Sequence, residues 1–169
     1  MAKDEPDADF IAFITDRMLW LRRVAFALCQ DWHEADDLAQ TSIAKFYTRW
    51  PRIRSTDNLD GYLRTIVVNT YLSARRGPWW RRVTLHHPPT EAPSFDPDIT
   101  TRAELRDALA AIPPRQRAAI VLRFYCDLTV EQTAHELGCS PGTVKSQTSR
   151  GLAALRRIME SAPAVHKGA

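Results

Sequence analysis

The stretch 129–150, "TVEQTAHELGCSPGTVKSQTSR", decides the fold of the second half of this chain. Thr129, followed three residues later by Gln132, is a capping-box pattern, so a short helix starts here. Gly138 stands where that helix must turn, the position most tolerant of a left-handed backbone. Ser140 is then an N-cap, with Pro141 at the first position of a second helix. Ala134 is small, as two closely crossing helices need. Val144, Thr148, Leu152 and Leu155 recur every three to four residues and are expected to face the core. Helix, tight turn and helix over about twenty residues match a DNA-binding helix-turn-helix.

Opposite that core stripe, in the first turns of the second helix, stand Lys145, Ser146, Ser149 and Arg150, with Thr143 before them. Lysine and arginine there can donate to guanine edges or phosphates, and the serines can serve either. Arg115, Arg117 and Arg123 on the preceding helix are candidate phosphate contacts. A helical hairpin with a solvated polar face would share the pattern, and the cap, the glycine and the small residue favour DNA binding.

Working outward, apolar residues recur at helical spacing and no alternating strand stands out. Phe10, Ile14, Met18, Leu21, Val24, Ala25 and Leu28 define a first amphipathic helix. In "EADDLAQTSIAKFYTRW", Ala39, Ile43, Phe46, Tyr47 and Trp50 form a core stripe, and Pro51 is expected to end the helix. A third helix is expected from about Asp60 to Arg76, with Leu59, Leu63, Ile66, Val67, Thr70 and Ala74 inward. Residues 77–100 hold Pro78, Pro88, Pro89, Pro93 and Pro97, which reads as an extended linker. Helical periodicity resumes at Arg102–Ile112, and Pro113-Pro114 suits the first turn of another helix running to about Phe124. The expected fold is all-α: two small helical domains, 9–76 and 102–160, joined by a Pro-rich linker over 77–101.

The chain has 169 residues, 44% hydrophobic and 25% charged, with a net charge of +3. That accommodates a packed core and makes global disorder a poor reading; the mild basicity says little alone. Cys29, Cys126 and Cys139 lie far apart, without metal-ligand spacing, and read as thiols in a reducing compartment. No metal and no cofactor is expected. The start, "MAKDEPDADF", is polar and acidic, unlike a signal peptide, and no apolar run nears the ~20 residues of a membrane span. A soluble, cytoplasmic protein without membrane insertion is expected.

The first half has two further faces. Asp36, Asp37, Gln40, Thr41 and Ala44 line one side of the second helix, either a solvated face with an acid-favouring helix start or a docking face for a basic partner helix. Around the third helix, Arg52, Arg54, Arg64, Arg75, Arg76, Arg81 and Arg82 interleave with Tyr62, Tyr71, Trp79 and Trp80. On that helix Tyr62, Thr65, Asn69, Ser73 and Arg76 form an outward stripe. Basic charge tracks a phosphate backbone, and aromatic and amide groups stack on or hydrogen-bond to unpaired bases. Arginines for solubility beside core aromatics would be the plainer reading.

"ADDLAQTSIAKFYTRW", "GYLRTIVVNTYLSARR", a Pro-rich linker, and "LAAIPPRQRAAIVLRFYCDLTVEQTAHELGCSPGTVKSQTSRGLAALR" occur in this order. Together they resemble the extracytoplasmic-function (ECF) class of bacterial RNA polymerase sigma factors, over about residues 9–76 and 102–159. The resemblance implies a non-catalytic specificity subunit for transcription initiation. Its region 4-like domain would read the −35 promoter element as duplex through Thr143, Lys145, Ser146, Ser149 and Arg150. Its region 2-like domain would capture the melted −10 strand, with Asn69 holding a flipped base and Tyr62, Arg64, Ile53, Arg54, Ser73 and Arg76 around it. Asp37, Leu38, Gln40 and Thr41 match the surface for the polymerase β′ clamp helices. The implied partners are core RNA polymerase (β′ clamp helices and β flap), promoter DNA and an anti-sigma factor, and the linker would thread toward the active-site channel.

Three positions depart from the pattern. Thr41 replaces an acidic residue, Ile53 stands where an aromatic is frequent, and Trp79-Trp80 is not assigned by the pattern, being open to stacking on DNA or packing the linker onto the first domain. Two other classes fit parts of the sequence. A dimeric helix-turn-helix regulator would need a dimerisation seam, and no heptad stretch supplies one. An enzyme acting on nucleic acid would need a catalytic constellation, and His33, His86, His87, His135 and His166 are scattered.

Overall fold

A computed structural model describes residues 4–76 and 97–162 of the chain. The described residues form seven α-helices and one π-helical turn, with no strand. In the first half, α1 is Asp4–Cys29, α2 is Trp32–Ile53 and α3 is Leu59–Ala74. In the second, α4 is Pro97–Ala111, α5 is Pro114–Ile120, α6 is Val130–Leu137 and α7 is Pro141–Ser161.

Local chemistry sets the ends of these helices. Gln30 takes the left-handed conformation (φ 58°) beyond α1, and its N–H donates to the Phe26 carbonyl at 2.7 Å. Asp31 caps α2 by accepting from the Glu34 N–H at 3.0 Å, and Asn58 caps α3 by accepting from the Gly61 N–H at 3.0 Å. Pro51 does not end α2, which reaches Ile53. So near the terminus proline removes only one bond, and the Arg54 N–H still closes the last turn on the Trp50 carbonyl at 3.0 Å.

The second half holds to its turn chemistry. Both capping-box bonds form: the Thr129 hydroxyl accepts from the Gln132 N–H at 3.1 Å, and the Gln132 side chain accepts from the Thr129 N–H at 2.9 Å. Gly138 is left-handed at φ 63°. The Ser140 hydroxyl accepts from the Thr143 N–H at 3.1 Å, with Pro141 opening α7. Ahead of this motif, α5 widens into a π-helical turn over Val121–Tyr125 instead of running as α-helix to Phe124. Asp127 then reverses the chain at φ 53°. Helix α4 begins at Pro97, inside the stretch expected to be linker. Proline blocks a helix interior but fits its first turn. Trp79, Trp80, Arg81, Arg82, His86 and His87 lie outside the described residues.

Phe10, Ile14, Leu21, Val24 and Leu28 of α1 pack on Ala39, Phe46 and Trp50 of α2 and on Leu63, Ile66 and Val67 of α3. Phe13 stacks on Phe46 at 5.4 Å between centroids, and the Trp50 indole donates to the Pro6 carbonyl at 2.9 Å. Met18, Tyr47 and Ala74, expected inward, are exposed. In the second half Leu152 is 39% exposed, and its expected core place belongs to Gly151. There α7 passes so close to α5 that a Cβ on residue 151 would lie 2.6 Å from Ile120 Cδ1 and 3.2 Å from Gln116 Cβ. Ala108, Ile112, Ile120 and Leu155 make a smaller cluster of α4, α5 and α7.

The main apolar cluster does not stop at the first half. Ala118, Ala119, Val121, Leu122, Leu128, Ala134, Leu137 and Val144 continue it. Consistent with this, α3 is buried almost all round, with Val68, Tyr71 and Leu72 inward as well as Leu63 and Val67.

Candidate nucleic-acid and polymerase interface

On α7, Lys145, Ser146, Ser149 and Arg150 are all exposed, while Val144 beneath them is fully buried. Thr143 is half-buried and tied to the cap, its hydroxyl 3.0 Å from that of Ser140. The α7 face is therefore a polar surface carrying two cations, held at a fixed angle by the Gly138 turn. It can form charge-assisted bonds to phosphate and paired bonds to base edges. Arg115 is exposed, but Arg117 cannot contact DNA here, because its side chain is 2% exposed. It donates to the Leu28 carbonyl at 2.9 Å, the Ala110 carbonyl at 2.8 Å and the Ile112 carbonyl at 3.1 Å. Carbonyls at the C-terminal ends of α1 and α4 thus accept the hydrogen bonds of a buried cation, with Glu34 near enough to favour its charge. Arg123 donates to the Leu128 carbonyl.

On α3 the outward stripe is present in part. Asn69, Ser73 and Arg76 are exposed; Tyr62 and Thr65 are half-buried. Arg52, Arg54 and Arg76 have no side-chain partner among the described residues. Arg75 pairs with Glu34 at 2.7 Å, and Arg17 of α1 pairs with Asp60. Ile53 is buried at the end of α2, so it can only wall a pocket from beneath. Lys45 of α2 donates to the Thr70 hydroxyl of α3 at 3.2 Å, a contact that the periodicity of α2 did not flag. Arg64 is held away from solvent by Glu136 of α6, its Nη2 2.6 Å from Oε1.

The α2 face is the third surface. Asp37, Gln40, Thr41 and Ala44 are exposed on one side of the helix. Leu38 is not among them. It is 7% exposed and packs in the core, since it falls on the Ala35–Ala39–Ser42 side of the helix. Asp36 is engaged at the surface by Arg22, whose Nε reaches Oδ1 at 2.7 Å. That hydrogen bond holds the Asp36 carboxyl below the usual carboxylate range. Asp37 has no partner among the described residues. The acid in the first turn is Glu34, because α2 starts at Trp32.

Sequence reasoning missed Glu136. The available signal was its register: Thr133, Ala134, Glu136 and Leu137 share the inward side of α6, and a charge there needs a partner. Burial pushes the Glu136 carboxyl up, against the opposing pull of Arg64. Among the described residues, no group of His, Cys, Asp and Glu has the arrangement of a metal site.

Comparison with known proteins identifies the family of the chain. Residues 13–81 match the family described as Sigma-70 region 2, and residues 102–155 match Sigma-70 region 4. The chain is 39% identical over 159 residues to an RNA polymerase sigma-E factor of Streptomyces avermitilis, covering 90% of this chain and 86% of that one. It is 40% identical over 154 residues to the Streptomyces coelicolor sigma-E factor, covering 88% and 84%. An ECF RNA polymerase sigma factor SigM of Mycobacterium tuberculosis is 30% identical, covering 82% of this chain and 71% of that one. Among solved structures, the sigma factor RpoE in complex with the anti-sigma factor NepR from Bartonella quintana superposes with a TM-score of 0.64 at 24% identity, over 90% of this chain and 99% of that one. CnrH in complex with the cytosolic domain of CnrY gives 0.61 at 16% identity, over 90% and 88%. At these identities the two structures establish the shared helical fold. With both halves matched in order, the chain belongs to the extracytoplasmic-function class of RNA polymerase sigma factors.

Proposed function

We propose that this chain is a non-catalytic promoter-specificity subunit that binds core RNA polymerase and directs it to promoters with paired −35 and −10 elements. The observation that carries the reading is the α7 face, where Lys145, Ser146, Ser149 and Arg150 are exposed directly after a helix-turn-helix turn. That face reads the −35 element as duplex in the major groove. Asn69, with Tyr62, Ser73, Arg76 and Arg54 around it, captures the melted −10 strand; Arg64 joins them once it leaves Glu136. Extruding a base costs a few kcal/mol, which hydrogen bonds and stacking in the pocket offset. Thr143 and Ile53 support these surfaces from their caps and core without contacting bases.

Asp37, Gln40 and Thr41 dock on the β′ clamp helices, and the second half meets the β flap. Leu38 holds the α2 face in place from the core side. An anti-sigma protein is a further partner, because one structure sharing the fold is of a sigma factor in complex with an anti-sigma factor. The site of action is the cytoplasm, where polymerase and promoter DNA meet. The test is run-off transcription by sigma-free core polymerase from a randomised promoter library. Adding the chain is expected to select templates sharing two spaced elements, and Asn69→Ala is expected to lose initiation while keeping core binding. Transcripts independent of the added chain would overturn the reading.

A further inference from the structure

Arg64 of α3 and Glu136 of α6 meet across the boundary between the two halves. Arg64 Nε donates to Glu136 Oε1 at 2.7 Å, and Nη2 lies 2.6 Å from the same oxygen. Their side chains are 17% and 6% exposed, so the pair is nearly removed from water. A second tie crosses the same boundary, from Arg117 of α5 to the Leu28 carbonyl of α1 at 2.9 Å. The apolar cluster is continuous between these ties, with Leu28 and Val68 on one side and Leu122 and Ala134 on the other.

This arrangement is too compact to read a promoter. Elements centred near −35 and −10 are about 25 base pairs apart, or roughly 85 Å of duplex at ~3.4 Å per pair. Asn69 lies five residues of helix from Arg64, about 7.5 Å. Lys145 follows Glu136 by nine residues, which span at most ~32 Å even when extended. With Arg64 on Glu136, the two reading faces stand no more than roughly 55 Å apart. The twenty residues from 77 to 96 can reach about 70 Å, so the halves can separate far enough when the contact breaks.

We infer that the Arg64–Glu136 pair is an internal latch: it holds the free chain closed and occupies an arginine that the −10 strand needs. This rests on the function proposed above. Glu136 then competes with DNA phosphate for one guanidinium, so closure and strand capture exclude each other through Arg64. An ion pair suits the task better than more apolar area. Changing either partner alone leaves the other's charge buried and unpaired in the closed contact, so closure holds only while both groups are in place. On opening, both groups return to water and neither is stranded.

Small-angle X-ray scattering of the full chain tests the latch, with Glu136→Arg, Arg64→Glu and the double swap. Wild type is expected near the roughly 15 Å radius of gyration of a compact chain this long. Each single reversal is expected to raise that radius by about a third at unchanged helical circular dichroism, and the swap to restore it. A wild type already as extended as the single variants, or single variants as compact as wild type, would overturn the proposal. A milder variant gives a second readout. Glu136→Gln is expected to bind sigma-free core polymerase about threefold or more tighter than wild type, because more of the chain is open. Equal affinities would count against the latch. Failure of both proteins to bind core would instead overturn the sigma-factor docking on which the latch's purpose rests, and scattering would still decide whether the chain is latched.

Discussion

Gly138 and Gly151 stand thirteen residues apart and are glycines for different reasons. At Gly138 the backbone is left-handed (φ 63°), and nothing lies within 4 Å of where a Cβ would be. Conformation alone is at stake there. Gly138→Ala is expected to cost about 1 kcal/mol and Gly138→Asn less, read by urea denaturation. At Gly151 the backbone is helical and space is at stake: a Cβ would meet Ile120 and Gln116 of α5. Ile120 Cδ1 can swing aside for one methyl, but a branched side chain also presses on Gln116 near its backbone. Gly151→Val is therefore expected to destabilise by about 1–3 kcal/mol in the same assay. Gly138 was legible in the sequence because a turn is a local matter of chain chemistry. Gly151 was not, because its constraint comes from residues more than thirty positions away. The cysteines follow the same logic. Burial pushes the Cys29 thiol up to about 12 and the Cys126 thiol up to about 11. Both are expected to react slowly with thiol reagents at neutral pH until the protein unfolds, against a redox-sensing role.

Elements show where register can be read from spacing and where it cannot. The periods of α1 and α2 placed Phe10, Ile14, Leu21, Phe46 and Trp50 in the core correctly, because each helix buries one stripe. The period of α3 misled, because this helix is covered on a second side and buries Val68, Tyr71 and Leu72 too. Leu38 was read as surface for a related reason: it adjoins Asp37 in sequence but turns to the other side of α2. The exposed polar face of α7 was legible from its caps and spacing. Lys145→Ala and Arg150→Ala are each expected to weaken duplex binding and to reduce its salt slope by about one if the contact is to phosphate. Loss of sequence preference with an unchanged slope would mark base contact instead; titration across salt concentrations separates the two.

Helix α6 carries a prediction about pH. Glu136 faces Arg64, His135 and Cys126, and burial holds its carboxyl above the usual glutamate range despite the Arg64 pair. The folded chain thus holds that proton more tightly than the unfolded one. Stability is expected to fall as pH rises from the ordinary glutamate range through the raised value. Thermal melts across that window should show this fall in wild type and lose it in Glu136→Gln.

At the scale of the whole molecule, the contact between the two halves of the chain was not legible in the sequence. Helix spacing, the Pro-rich stretch and turn chemistry all speak of neighbours in sequence, whereas Arg64–Glu136 and Arg117–Leu28 join residues 72 and 89 positions apart. Because one apolar cluster spans both halves, the wild-type chain is expected to unfold in a single calorimetric transition. Glu136→Arg is expected to split it into two. Docking of this chain on polymerase is tested most directly by equilibrium binding to sigma-free bacterial core RNA polymerase, comparing wild type with Asp37→Arg. Asp37 is exposed and has no partner among the described residues, so its reversal should leave the fold intact. Binding at submicromolar concentration, weakened about tenfold or more by the reversal, is the expected result. No binding by wild type at micromolar concentration, or equal binding by the two proteins, would contradict the docking of α2 on polymerase and the promoter function built on it.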